Sequence, residues 1–180
     1  TPSTRSGSSL AGGTRNGTIV HWPSRISARG ETRHQFHHVI DLAPTVLEVA
    51  GLPEPTFVHG VQQRPLEGVS MAYSFEDADA PDRHETQYFE MFGNRGIYHR
   101  GWSAVTRHST PWMFGAVLPS FEDDAWELYA PDDWTQANDV AAEHPDVLLR
   151  LQQLFLLEAS KYNVFPLDDR RVERFNPDLA

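Results

Sequence analysis

The stretch TQYFEMFGNRGIYHRGWSAVTR, residues 86–107, decides the fold of the second half of the chain. Apolar or aromatic residues alternate with polar ones in three runs within it: Thr86–Phe92, Gly96–His99 and Trp102–Arg107. A period of two is typical of half-buried β-strands, and turn signals at Gly93-Asn94 and Arg100-Gly101 separate the runs. The pattern therefore predicts an antiparallel meander.

A fourth short strand and a helix are predicted after the meander. The strand is Trp126–Tyr129, and the helix covers Asp146–Tyr162, opened by Pro145. The apolar stripe of this helix consists of Val147, Leu148, Leu151, Leu154, Phe155 and Ala159. We therefore expect residues 81–165 to form an α+β subdomain, a four-stranded antiparallel sheet with one C-terminal helix. Residues 166–180 have no periodicity and are interpreted as a tail.

The first part of the chain has the pattern of an α/β protein. Thr18–Trp22 is a short β-branched run that indicates a buried parallel strand. Phe36–Gly51 is predicted to be a helix with Asp41 as its N-cap. Its apolar face consists of Leu42, Val46, Leu47 and Ala50. Because one strand and one helix cannot form a stable layer alone, we expect residues 1–80 to be the incomplete end of a larger α/β core. On this interpretation the chain is a piece of a longer protein.

The composition excludes several classes of protein. The 180 residues are 39% hydrophobic and 22% charged, which is typical of a globular protein. Asp and Glu number 25 against 15 Lys and Arg, and the net charge of −10 argues against a nucleic-acid partner. No apolar run approaches the about 18 residues of a membrane span. There is no cysteine, which excludes disulfides and thiolate zinc sites and leaves the compartment open.

The histidines are the first candidates for a metal site. His34 and His38 have the separation of paired ligands on a helix, with His37 between them, but all three precede the predicted N-cap. We interpret them as surface or interface histidines. His99 and His108 fall at predicted strand ends and are interpreted in the same way.

The acidic stretches also lack the pattern of a metal or catalytic site. The cluster Glu76, Asp77, Asp79 and Asp82 has neither the central Gly nor the bidentate Glu of a calcium loop, and is interpreted as a solvated loop. Asp123-Asp124 and Asp132-Asp133 are interpreted as turns or caps. Asp168-Asp169 with Arg170-Arg171 is interpreted as an ion-pair cluster. The chain has no Gly-x-Ser-x-Gly elbow. We predict no catalytic residue and no metal ligand in it.

One group of residues could bind an anion. Arg5 and Arg15 flank the Gly12-Gly13 pair at the mouth of the predicted first strand. Guanidinium groups suit sulfate, phosphate or carboxylate, and ligands of open α/β sheets bind at strand ends. Structural hydrogen bonding by these arginines is the alternative.

Several segments, in order along the chain, resemble the sulfatase family. GGTRNGTIVHWP, residues 12–23, resembles the Gly-Gly-x-Arg turn and strand near the end of the sulfatase core. His38–Glu48 resembles the helix that follows, and Gly68-Val69-Ser70 resembles the next element. Tyr88–Arg95 and Trp126–Tyr129 resemble the sheet of the C-terminal subdomain. The resemblance is to large bacterial-type arylsulfatases and covers residues 5–180.

The resemblance implies an alkaline-phosphatase-like α/β core followed by this subdomain, and hydrolysis of small sulfate esters. The family nucleophile is a formylglycine made within a Cys/Ser-x-Pro-x-Arg motif, and calcium is bound by Asp and Asn residues nearer the N-terminus. This chain lacks the motif, and we expect no calcium ligand in it. It would supply one wall of the cleft, would need the missing N-terminal core, and would be inactive alone.

The resemblance also gives roles to two residues. Arg5 stands near the position of a family Lys that contacts the substrate sulfate, although a guanidinium differs from an ammonium in shape and reach. Arg15 matches the arginine of the Gly-Gly-x-Arg turn, for which a structural role is expected.

Two other functions stay open. The chain could be a fragment of a phosphodiesterase or phosphonate hydrolase of the same superfold, which would carry a plain Thr or Ser nucleophile upstream. It could also be a non-enzymatic interaction module built from the meander and its helix. The tryptophans that favour a module are Trp102, Trp112, Trp126 and Trp134.

Overall fold

The computed structural model describes residues 14–110 and 117–170. These residues form two compact units. The helix–hairpin unit is Thr18–Glu85, and the sheet unit comprises residues 14–17, 86–110 and 117–170. None of the described helices is both long and apolar enough to cross a membrane.

The sheet unit is a four-stranded antiparallel meander covered by one helix. Its strands are β3 (Thr86–Met91), β4 (Asn94–His99), β5 (Trp102–Thr106) and β6 (Trp126–Tyr129), in the spatial order β3-β4-β5-β6. The helix α2 is Pro145–Lys161 and begins with proline, whose missing N–H costs nothing in the first turn. The predicted antiparallel sheet and C-terminal helix are therefore confirmed.

Two-residue turns connect the first three strands. Phe92 and Gly93 have φ of 52° and 82°, and Arg100 and Gly101 have φ of 47° and 91°. Positive φ at both central positions is the type I′ geometry that matches the twist of paired strands. The sequence analysis placed the first turn at Gly93-Asn94, one residue too late. Asn94 belongs to β4, where its side-chain amide donates to the Met91 carbonyl oxygen.

The core of the sheet unit lies between the inner face of the sheet and α2. Its buried apolar side chains are Ile97, Ala104, Leu128, Leu151, Phe155 and Ala159. Ala104 faces Ile97 on one neighbouring strand and Leu128 on the other, so one row of residues crosses the sheet. Trp126 meets Phe155 edge to face, with ring centroids 5.9 Å apart. The alternation that predicts the strands also predicts this buried face.

The helix–hairpin unit contains α1 (Leu42–Ala50) and a small hairpin. A 3₁₀ turn, Val39–Asp41, leads into α1, and Gly51 ends it with φ of 67°. The predicted helix started too early, at Phe36. His38 has an extended backbone, and its N–H donates to the Asp41 carboxylate at 2.8 Å, which holds the preceding residues outside the helix.

The hairpin was not predicted. Strands β1 (Phe57–Val58) and β2 (Val61–Gln62) pair through a turn at His59-Gly60 with φ of 50° and 82°. This turn has the same residue-plus-glycine pattern as the turns of the meander, but the two strands are too short to show alternation. The sequence analysis therefore did not identify these strands.

The predicted buried strand Thr18–Trp22 is wrong for the structure as described. These residues form no strand, and Ile19 is 96% exposed. The Trp22 carbonyl oxygen instead accepts hydrogen bonds from the N–H groups of Arg25 and Ile26 in a turn. A parallel strand needs a neighbouring strand to pair with, and residues 18–85 offer only the β1–β2 hairpin. The alkaline-phosphatase-like core is accordingly not seen among residues 14–110 and 117–170.

The apolar face of α1 is largely exposed in the structure. Leu42 and Val46 are exposed, whereas Thr45 and the preceding Asp41 are buried. Amphipathicity correctly identifies which side of a helix is apolar, but whether that side is covered depends on the rest of the protein.

Candidate functional site

Arg15 is the one predicted anion-binding residue that the structure describes. It is exposed, and its Nη1 atom donates a hydrogen bond to the backbone carbonyl oxygen of Trp134 at 3.1 Å. Arg5 and Gly12-Gly13 lie outside the described residues. The observed contact is structural, as the match to the Gly-Gly-x-Arg turn implied, and anion binding by the two arginines stays a prediction.

The loop that receives Arg15 is held by its own hydrogen bonds. The Asp133 carboxylate accepts from the Asn138 N–H at 2.7 Å and from the Thr135 hydroxyl at 2.9 Å. Backbone N–H groups of Ala137 and Asn138 lower the pKa of Asp133 from its ordinary value. The prediction of a turn at Asp132-Asp133 is confirmed. Trp134, in the middle of this loop, is 67% exposed.

The most buried polar group of the helix–hairpin unit surrounds Asp41. We call His37, His38, Asp41 and His84 the Asp41 cluster. Asp41 has no exposed surface. Its carboxylate accepts from the N–H groups of His38 and Val69, each at 2.8 Å, and both its oxygens lie 2.8 Å from His84 Nδ1. His37 Nδ1 lies 3.8 Å from the same carboxylate.

The Asp41 carboxylate is stabilised in its ionised form. Burial by itself would raise the pKa of Asp41, but the nearby His37 ring and the hydrogen bonds from His84 and from the two backbone N–H groups lower it well below the usual range. Burial and the neighbouring His84 lower the pKa of His38, against a smaller opposing effect of Asp41. The cluster therefore holds a buried negative charge among imidazoles.

A close backbone approach brings Val69 to this carboxylate. A Cβ atom on Gly68 would lie 2.2 Å from the Ile40 carbonyl oxygen and 2.9 Å from the Asp41 nitrogen. Only glycine fits there. The Gly68-Val69-Ser70 segment, which the sequence analysis identified by resemblance, thus packs on the start of α1 and places an N–H on Asp41.

The Asp41 cluster corrects two sequence-based interpretations. His34 is exposed, as predicted, but His37 and His38 are half-buried, and Asp41 is a buried acceptor for three segments rather than only a helix cap. His84 was missed, since a lone histidine before a strand gives no signal in the sequence. The nearby hydroxyl groups form hydrogen bonds with the backbone: Ser74 donates to the Met71 carbonyl oxygen, and Ser70 accepts from the Ala72 N–H. The arrangement therefore joins segments of the fold.

A second buried polar cluster lies in the sheet unit. We call Arg95, His108, Asp124 and Asp169 the His108 cluster. Arg95 forms an ion pair with Asp124, whose side chain is 2% exposed. His108 Nδ1 lies 2.9 Å from Asp124 Oδ2, and His108 Nε2 lies 3.3 Å from Asp169 Oδ2. Phe121 stacks on the His108 ring at 4.1 Å.

This cluster ties three parts of the sheet unit together. Asp124 precedes β6, Arg95 lies on β4, and Asp169 follows α2. The interpretation of His108 as a surface or interface histidine is wrong, because its side chain is buried within the sheet unit. Asp123-Asp124 do form a turn and cap, since Asp124 follows the 3₁₀ turn Phe121–Asp123, and the Asp124 side chain is also buried. The ring stands directly against the first hairpin, since a Cβ atom on Gly93 would lie 2.6 Å from His108 Cδ2.

Asp77, Asp82 and Asp168, from the other predicted acidic clusters, also have partners within the protein. Asp77 Oδ1 accepts from the Asp79 N–H at 3.0 Å, and Asp82 Oδ1 accepts from the Phe36 N–H at 3.1 Å. Arg170 pairs with Asp168 at 2.9 Å, so an ion pair does form in the predicted tail cluster, while Arg171 lies outside the described residues.

The part of the chain that the structure describes contains no candidate metal site. Within residues 14–110 and 117–170, no three His, Asp or Glu side chains are grouped so that they could hold a metal ion. We therefore assign no calcium ligand there and derive no catalytic step from a metal.

Comparison with known proteins relates the chain to sulfatases. A curated sulfatase of Formosa agariphila is 28% identical over 146 residues, which cover 78% of this chain and 25% of the relative. The chain thus spans about a quarter of the curated relative that it matches. No family model matches the sequence. The resemblance to sulfatases that the motifs indicate is confirmed by this relative.

A solved structure gives a weaker likeness. It is a sulfatase whose title concerns the metabolism of multiple glycosaminoglycans by Bacteroides thetaiotaomicron. It is 19% identical, with a TM-score of 0.48, and the match covers 72% of this chain and 26% of that chain. Because this likeness is weak, we describe the fold of the present chain only from its own strands and helices.

Proposed function

From the similarity to sulfatases, we propose that this chain is the C-terminal part of an arylsulfatase-type enzyme that hydrolyses small sulfate esters. The observation that carries the proposal is the match of 78% of the chain to only 25% of a curated sulfatase. In this proposal residues 1–80 complete an α/β core, residues 81–165 form the C-terminal subdomain, and residues 166–180 are its tail.

The exposed apolar surface of the helix–hairpin unit supports the need for further polypeptide. Ile19, Leu42, Val46, Phe57 and Val61 are all at least 44% exposed. A surface with so many large apolar side chains is unusual for a protein that acts alone. We propose that the α/β core of the parent enzyme covers it.

The chemistry would be shared between this chain and that core. The formylglycine would supply the attacking oxygen and calcium would stabilise charge on the sulfate, both from polypeptide nearer the N-terminus. This chain would contribute one wall of the cleft and the Arg5 guanidinium as a cation for the sulfate oxygens. Arg15 would hold the start of that wall through its bond to the Trp134 carbonyl oxygen.

The proposal is tested on the encoded longer protein. We expect the reading frame upstream of Thr1 to contain a Cys/Ser-x-Pro-x-Arg motif, and the longer protein to hydrolyse p-nitrophenyl sulfate. The 180-residue chain alone should show no turnover above buffer. Turnover by the purified short chain, or a longer protein that cleaves bis-p-nitrophenyl phosphate but not the sulfate, would overturn the proposal.

Substitutions in the longer protein distinguish the proposed roles of Arg5 and Arg15. Arg5→Ala should reduce kcat/KM for the sulfate ester at least about tenfold, because a cation is lost from the transition state. Arg5→Lys should recover part of that loss. Arg15→Ala should chiefly lower thermal stability, since its observed partner is a backbone carbonyl. An Arg5→Ala enzyme with unchanged kcat/KM would remove Arg5 from the site.

A further inference from the structure

The outward side of α2 carries leucines that the core of the sheet unit does not use. Leu151, Phe155 and Ala159 fill the core, as described above. Leu149, Leu156 and Leu157 point away from it and are 55%, 54% and 67% exposed. On a helix that already buries one apolar stripe, three large apolar residues on the opposite side form a second one.

The second stripe is continuous along the helix. Leu149, Gln153, Leu156 and Ser160 follow at intervals of three or four residues, which places them on one face, with Leu157 beside them. All five are exposed and uncharged. We call them the outer stripe. Such a seam is the surface that two packed helices bury between them.

Charges stand at the two ends of this seam. Asp146 lies in the first turn of α2 and Lys161 in the last. Asp146 lies 4.0 Å from Arg150 in an exposed pair. Lys161 lies 3.8 Å from Glu158, whose side chain is 19% exposed, and 4.6 Å from the centre of the Tyr162 ring. An exposed ion pair contributes little, so the Asp146–Arg150 pair can be exchanged for a contact with another molecule. The Lys161 side chain is 62% exposed and can contact a further carboxylate while it keeps these partners.

We infer that the outer stripe is a dimer interface, in which α2 packs antiparallel against α2 of a second copy of this chain. With the two-fold axis at Gln153, Leu149 of one copy lies opposite Leu157 of the other. Asp146 of each copy then lies beside Lys161 of the other, and the helix dipoles oppose one another favourably.

Self-complementarity is the reason for choosing a second copy as the occupant. A stripe that is uncharged in its middle, acidic at one end and basic at the other matches itself when reversed. Arg150 falls opposite Leu156 in this pairing, where its aliphatic stem can cover the leucine and its guanidinium can reach water. This inference does not depend on the proposed sulfatase function.

The absence of cysteine makes cross-linking the sharpest test. Gln153→Cys places one thiol on the two-fold axis, so mild oxidation should produce a disulfide-linked dimer of the 180-residue chain. Glu143→Cys is the matched control, because residue 143 is exposed but faces the far end of the second helix in this pairing. Equal cross-linking of the two variants, or none of either, would overturn the inference.

Charge reversal tests the orientation. In sedimentation at low salt, Asp146→Lys and Lys161→Asp should each weaken self-association roughly tenfold, because like charges then face one another. The double reversal should restore it. Self-association that is unchanged in the charge-reversed variants would refute the inference. So would self-association that persists in a Leu156→Glu, Leu157→Glu double variant whose far-UV spectrum is unchanged, because the contact would then lie elsewhere. Val117→Glu, at a 96% exposed site, is the control for added charge.

Discussion

The two units of the chain are stabilised by opposite kinds of interior. The sheet unit buries an apolar core between its strands and α2, from Ile97 to Phe155. In the helix–hairpin unit, by contrast, the buried residues are mostly polar: Asp41, Thr45, Ser74 and His84, with Met71 as the only apolar one among residues 18–85. Several large apolar residues of the helix–hairpin unit are instead exposed on α1 and the hairpin, among them Val46 and Phe57.

The contrast shows what each unit can do alone. Apolar burial is the main source of folding free energy, and the sheet unit has a complete core to supply it. A hydrogen-bonded carboxylate specifies how segments meet, but contributes little net free energy after its desolvation. We therefore expect the sheet unit to be the more stable of the two, and the helix–hairpin unit to depend on whatever covers its apolar surface.

The largest effect is expected in the sheet unit from Phe155→Ala. Phe155 is 2% exposed, and truncating a buried phenylalanine costs about 3–5 kcal/mol. Hydrogen exchange should show the loss throughout the meander and α2. Leu157→Ala, on the exposed side of the same helix, should cost less than about 0.5 kcal/mol when measured at a dilute, monomeric concentration. Similar losses for the two variants would show that the sheet unit has no independent core.

Asp41→Asn should have the next largest effect, confined to the helix–hairpin unit. The amide cannot accept from all the groups that converge on the carboxylate, and we expect a loss of about 2–4 kcal/mol. Hydrogen exchange should rise in α1 and around Val69 and leave the meander unchanged. Asp77→Asn is the control, because its carboxylate accepts only an exposed backbone N–H in a turn. Equal losses of stability in the two variants would show that the Asp41 carboxylate does not hold the helix–hairpin unit together.

Gly68→Ala tests the same contact from the backbone side. The added Cβ would meet the Ile40 carbonyl oxygen at 2.2 Å, so the segment must move away from Asp41. We expect a loss of about 1–3 kcal/mol in the helix–hairpin unit. Gly17→Ala should be nearly neutral, since nothing lies within 4 Å of a Cβ atom there. Wild-type exchange rates in the Gly68→Ala chain would contradict the close packing.

The smallest of these effects is expected from acidification, which should destabilise the helix–hairpin unit and leave the sheet unit unchanged. The lowered pKa of His38 means that its stabilising contribution is present above the unfolded value of about 6.5 and is lost as the pH falls below it. Asp41 follows, with stability present above about 4 and lost at lower pH. The protection factors of α1, corrected for the intrinsic pH dependence of amide exchange, should therefore fall as the pH is lowered from about 7.5 to 5.5, and fall less in His38→Gln. Constant protection over that range would exclude this linkage.

The sequence predicts the sheet unit well because its signals are local. Alternation from Thr86 onward, glycines at the turns and a proline at the start of α2 each act within a few residues. The Asp41 cluster has no such signal. Val69 and His84 reach Asp41 from 28 and 43 residues away, so the chain must fold before the group exists.

The error at Thr18–Trp22 has a different origin. The residues of that segment are apolar and β-branched, which favours a strand. A strand forms, however, only where a partner strand supplies hydrogen bonds. The same holds for the exposed side of α1. The His108 cluster was missed because both His108 and Asp124 stand in segments that read as polar loops, and only the folded meander encloses them.

The hydrogen bond between Arg15 and the Trp134 carbonyl oxygen predicts which of the two positions can vary among related sequences. Its acceptor is a peptide carbonyl, so any amino acid at position 134 can provide it, whereas the donor requires a guanidinium at position 15. Among homologues we therefore expect position 15 to stay arginine while position 134 changes freely, provided that the loop keeps its length. An insertion in that loop would matter more than any replacement within it.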